Sequence, residues 1–269
     1  MNVGRILAVA SNTRKEAFRN RAFLVLLILG LALIGTGWAL SNLAVTSQKS
    51  RVILDFGYFA VGLLASIAGI LMGVILLYKE LDRKTIFTLL PKPVWRHEIV
   101  LGKVLGLLTL IIGLVVFLGG AWVLMLAMQD ALIVGGVSVL PQLLKALALM
   151  VLEAMLMTSV ALLFSAWTRP FLSGLFTIGY FVMGRTVFLL HEHLSGRKGA
   201  LAEQGPLRDL AQGVTKIIPD LSAFNVSQEV VLGIHVPVDY VGASALYAFS
   251  FTAVFLVLAI VLFARRDFV

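Results

Sequence analysis

The sequence predicts an all-α polytopic membrane protein with six transmembrane helices. Three observations lead there. Hydrophobic residues make up 60% of the 269-residue chain and charged residues only 13%, about half the charged share of a soluble globular protein; the mean hydropathy is +1.00. Six apolar stretches each approach the roughly 20 residues needed to cross a bilayer core. The basic residues gather on one side of those stretches. The net charge of +8 follows this sidedness and does not indicate nucleic acid. With no cysteine, disulfides, thiolate metal sites and cysteine nucleophiles are excluded.

Val3 to Arg21 reads as an amphipathic helix lying on the membrane: Val3, Ile6, Leu7, Ala10, Ala17 and Phe18 recur at helical spacing among Arg5, Arg14, Lys15, Glu16 and Arg19. It leads straight into a full-length span and has no short apolar core with a cleavage site, so it is not read as a signal peptide. The expected spans are about Ala22–Leu40, Gly57–Tyr78, Val104–Met128, Leu143–Trp167, Phe171–Leu190 and Val241–Ala264, forming a single transmembrane domain over residues 1–269. An even number places both termini on one side. Arg5, Arg14, Lys15, Arg19, Arg21, Lys79, Arg83, Lys84, Lys92, Arg96, Lys103, Arg169, Arg265 and Arg266 then share that side, against Lys49, Arg51, Arg197, Lys198, Arg208 and Lys216 on the other. The first side is therefore expected to be the cytoplasm.

The loop from Lys79 to Lys103 reads as two short helices broken at Pro91 and Pro93. Ile86, Phe87, Leu89 and Leu90 give the first an apolar side that needs a partner, and Trp95 stands at an interfacial position. Small residues at four-residue spacing, Ala65, Gly69 and Gly73 in the second span and Gly102 and Gly106 at the third, suit close helix approach within the chain or across a dimer. The fourth and fifth spans meet at Thr168-Arg169-Pro170, which dictates a tight antiparallel hairpin. The hydrophilic region 191–240 carries an amphipathic helix between Pro206 and Pro219 and a short helix from Val226 to Leu232 ended by Gly233. These helices rest on the outer leaflet or cap the spans.

Lys145, Glu153 and Arg185 lie within spans, where charge is costly and points to function by default. The hairpin brings Glu153 and Arg185 within reach of a slanted ion pair, either a packing tie or a polar conduit lining. Lys145 is expected to snorkel to the headgroups. His191, Glu192 and His193, with His235, lack the four-residue spacing of a helical zinc motif, so no metal is assigned. No phosphate-binding GxxxxGK[ST] loop and no supported serine–histidine–acid set is present. Catalytic residues are therefore none, and no cofactor is assigned to this chain.

The run YKELDRKTIFTLLPKPVWRHEIVLGKVLG, with the opening RKEAFRNRAF, IPDLSAFNV at Ile218–Val226 and the terminal FARRDF, resembles the permease subunits of bacterial ABC transporters of the ABC-2 type. Within it, Glu80, Thr85, Pro91, Pro93, Gly102 and Lys103 match the family pattern, and the subgroup linked to multicopper-enzyme maturation and nitrous oxide reductase is the nearest. The resemblance implies a permease pairing with a second, identical copy in the bacterial cytoplasmic membrane, with two separate ATP-binding subunits docked beneath it. ATP and magnesium would belong to those subunits. Glu80 and the helix containing Thr85, Ile86, Phe87, Leu89 and Leu90 would couple to the ATPase, and residues 3–21 would form the elbow helix. The implied function is ATP-driven export. A mechanical transmitter driving an extracytoplasmic partner is the alternative in the same fold, and a membrane enzyme built on the histidine cluster is a third reading.

Overall fold

The structure, a computed structural model, describes residues 3–45, 48–82, 96–134, 136–195, 213 and 218–265. Among these are eight α-helices: α1 Val3–Phe18, α2 Arg21–Ser41, α3 Lys49–Asp82, α4 Arg96–Met128, α5 Leu140–Trp167, α6 Pro170–Ser195, α7 Ser227–Leu232 and α8 Val238–Arg265. A two-residue antiparallel ladder, β1 Ile133–Val134 with β2 Val137–Ser138, joins α4 to α5. Six helices (α2 to α6 and α8) are long and apolar enough to cross a membrane.

Three of them form the middle of the bundle. The most apolar windows of α3, α4 and α5 are 72%, 61% and 67% buried, against 28%, 22% and 28% for α2, α6 and α8. The flanking helices accordingly turn outward large apolar side chains such as Ile28, Leu175, Phe249 and Val257, as helices in lipid do. Where α3 meets α5, a methyl added at Gly69 would lie 2.7 Å from the Ala154 carbonyl, and one at Gly73 would lie 2.8 Å from the Ala161 methyl. That small-residue stripe is used within the chain.

The other stripe is also internal. α1 is seated on the first half of α4 because Gly102 and Gly106 let its backbone approach: added methyls would meet Val9 at 2.6 Å and the Ala10 carbonyl at 2.6 Å. Ile6, Thr13 and Ala17 are buried there. The chain then turns through Asn20, whose side chain accepts from the Ala22 amide at 3.1 Å and caps α2, while Phe18 and Phe23 meet edge to face across the turn at 5.2 Å. Replacing Gly106 with valine is expected to lift α1 from α4. The chain has no cysteine, so a single Thr13→Cys, 4% exposed in the native packing, reports this: thiol labelling is slow in the parent and fast in the Gly106→Val background.

Several helix ends differ from the hydropathy reading. α3 begins at Lys49 instead of Gly57, α4 at Arg96 instead of Val104, and α6 continues to Ser195. Polar residues there ride on helices that outrun the apolar window. Lys103, read as a loop cation, is 1% exposed inside α4, as is Glu98, with Arg5 of α1 4.0 Å from the Glu98 carboxylate. Residues 83–95, with Thr85, Ile86, Phe87, Leu89 and Leu90, lie outside the described residues, as does most of the expected 206–219 helix.

The end of the bundle opposite the Thr168–Arg169 hairpin is closed by residues 218–233. A 3-10 turn at Leu221–Phe224 is capped by Asp220, and α7 ends at Gly233 with φ 68°, the left-handed C-cap that glycine supplies without strain. Leu221, Phe224 and Val230 are fully buried. Of the two expected placements for this part of the region, capping the spans is the observed one. Three tyrosines fix it. The Tyr58 hydroxyl accepts from the Val226 amide at 3.0 Å and donates to the Phe224 carbonyl at 3.4 Å; Tyr247 accepts from the Asp220 amide at 2.8 Å; Tyr240 donates to the Ala223 carbonyl at 2.7 Å.

Candidate functional site

The α5–α6 hairpin sets the geometry. Glu153 and Arg185 each stand 16 residues from Arg169, so two antiparallel helices of equal rise bring them to one level. The pair forms directly across the hairpin. Arg185 Nη2 donates to Glu153 Oε2 at 3.0 Å and lies 2.8 Å from Oε1, its hydrogen directed at the former. Oε1 has no hydrogen bond of its own. Ser66 of α3, fully buried, neighbours the same carboxylate.

The two partners are unequally placed: the Glu153 side chain is 2% exposed, that of Arg185 30%. Phe181, one turn earlier on α6, sets its ring 5.6 Å from the guanidinium carbon, which favours the cation by its π-face. Arg185 therefore faces out of the bundle from a buried anchor, into a cleft of about 360 Å³ between α3, α6 and the start of α7. Asp55, Tyr58, Phe59, Gly62 and Leu63 form one wall, Phe181 and Arg185 the other, with Asn225 and Ser227 across the end. A neighbouring hollow of about 330 Å³ shares Asn225 and Ser227 and adds Ser222, Gln228 and Glu229. Amide, hydroxyl, carboxylate and guanidinium groups thus meet apolar rings in a cleft beside the cap.

The other intramembrane cation, Lys145, does not reach freely for headgroups. Its ammonium donates to the Val236 carbonyl and ties α5 to the segment before α8. Glu80 lies on α3 and His191, Glu192 and His193 on α6, with their side chains outside the described residues; His235 is exposed. Among the described residues no three His, Cys, Asp or Glu side chains gather to hold a metal. Asp55, Tyr58, Asn225 and Ser227 were not singled out from sequence. The signal for the first two was available: Arg51, Asp55, Tyr58 and Gly62 follow helical spacing along one face that runs into the apolar stretch.

No curated protein matches the chain. The family model described as ABC-2 family transporter protein matches residues 7–268, nearly the whole sequence, and the six apolar helices agree with it. Members of this family are membrane components of ABC transporters that work with a separate ATP-binding subunit and are not themselves the catalytic subunit. This chain, a multi-pass membrane protein, belongs to the ABC-2 family of transporter proteins.

Proposed function

We propose that the chain is the permease of an ATP-driven exporter in the bacterial cytoplasmic membrane, with both termini in the cytoplasm. The observation that carries the reading is Arg185, anchored by a buried carboxylate and presented to a cleft on the open flank of α3 and α6. A charge within a span is costly and points to function by default, and this one opens on a cleft. Two identical copies would face one another across these flanks, the clefts lining a shared path. The distribution of lysine and arginine supports the orientation. Glu80, Thr85, Ile86, Phe87, Leu89 and Leu90 would seat in the ATPase, which would hold ATP and magnesium. Nucleotide-driven closure would then favour one arrangement of the spans over the other. The resemblance of its motifs to the subgroup serving multicopper-enzyme maturation would place it there.

The tyrosine-clamped cap favours a second reading, in which α3 and α8 pass their movement to an extracytoplasmic partner and no solute crosses. A continuous polar path between two copies supports export; a sealed apolar interface supports transmission.

Affinity purification from the native host tests the assembly. A chain carrying a phosphate-binding loop should co-purify with the tagged permease and be lost when Phe87 and Leu90 are both replaced by aspartate, with membrane insertion retained. Retention of that chain by the double variant overturns the coupling assignment.

A further inference from the structure

The seat of α1 on α4 leaves a trough along one flank, about 360 Å³, formed by Leu7, Ala10, Leu105, Leu108 and Ile112 and rimmed by Arg14. Its walls are mostly apolar, with Ser11 on the α1 side. Thr109, the polar residue on the α4 side, spends its hydroxyl on its own helix, donating to the Gly106 carbonyl at 2.8 Å. Leu7, Leu105 and Ile112 are exposed along it, so no described residue fills it. Arg14 is exposed and makes no ion pair among the described residues. The flanking Lys15, Arg19 and Arg21 are also exposed, and Glu16 is the one acidic residue in the first 21.

We infer that this trough binds an anionic phospholipid, an acyl chain lying against Leu105 and Ile112 and the headgroup phosphate meeting Arg14. The occupant follows from the surroundings: an open apolar slot in a membrane-embedded chain meets acyl chains, and a cationic rim without a lining carboxylate selects the anionic headgroup. Arginine suits phosphate because its planar fork donates two parallel hydrogen bonds. Bound there, the lipid bridges α1 and α4 and holds α1 to the bundle.

The test uses the purified, delipidated full chain in detergent, titrated with phosphatidylglycerol or phosphatidylcholine of matched acyl chains. Phosphatidylglycerol at about ten times its Kd should raise the Tm by about 3 °C more than phosphatidylcholine does. Arg14→Gln, with an unchanged Tm in detergent alone, should bring phosphatidylglycerol down to the phosphatidylcholine level. Leu105→Trp, which fills an already exposed part of the trough, should weaken both lipids. Lys15→Gln, off the trough, should keep the preference. Equal effects of the two lipids on the parent, a preference that survives Arg14→Gln, or full stabilisation by inorganic phosphate alone would each overturn the assignment.

Discussion

Arg185→Met is expected to cost about 3–5 kcal/mol of stability, because it leaves the Glu153 carboxylate buried without its cation. Glu153 is 2% exposed and its Oε1 already lacks a hydrogen bond, and among the described residues no second cation stands beside it. The neighbouring Ser66 hydroxyl offers one neutral contact at most. Removing both charges together, as Glu153→Leu with Arg185→Met, should recover most of the loss, since a buried pair contributes little net stability over apolar packing. The measurement is the Tm of the four proteins of this cycle in one detergent. A single Arg185→Met as stable as the parent would mean the carboxylate is compensated elsewhere.

Gly57→Ala is expected to be the most damaging single methyl in the bundle. Its Cβ would fall on the indole of Trp122, the largest fully buried side chain. That indole cannot swing away freely: Nε1 donates to the Ile53 carbonyl at 3.1 Å, and its ring stands edge to face with Tyr58 at 6.5 Å. Tyr58 in turn holds the cap through Val226. Overpacking of this kind costs about 1–3 kcal/mol and the lost indole hydrogen bond about 1 kcal/mol more. Trp122→Leu in the Gly57→Ala background should then cost less than the two changes summed, because the second removes the atoms the first collides with. Additive losses would contradict the contact.

These two sites differ in how far the sequence reveals them. Glu153 and Arg185 are legible because charges are rare in apolar runs and a tight hairpin fixes their relative height. The spans are legible for the same reason: a window of about 20 apolar residues has few alternatives to a membrane helix. Gly57 against Trp122 is not, since nothing local in either helix states which partner it meets. The starts of α3 at Lys49 and α4 at Arg96 are hidden because hydropathy falls where a helix leaves the apolar layer, although the backbone bonds continue. The cleft is hidden for a deeper reason. Asp55 and Tyr58 are brought beside Asn225 and Ser227 by a cap whose hydrogen bonds run largely to backbone atoms, as does that of Lys145 to Val236. Backbone partners leave no side-chain pattern to read.

The glycine pairs make the same point in reverse. Gly102 and Gly106 announce a close helix contact, and it is α1 of the same chain that fills it. A dimer would therefore use other surfaces, such as the flank of α3 and α6 that carries the cleft; among the described residues, α2, α6 and α8 are the least buried of the six long helices.

In the function proposed above, this chain couples a separate ATPase to events in the membrane. The most direct measurement is ATP hydrolysis by the co-purified assembly in lipid vesicles, with the ATPase chain alone as reference. Hydrolysis should depend on the permease and return to the reference rate when Phe87 and Leu90 are aspartate. Hydrolysis indifferent to the permease, or a permease that brings no nucleotide-binding chain with it, would contradict it.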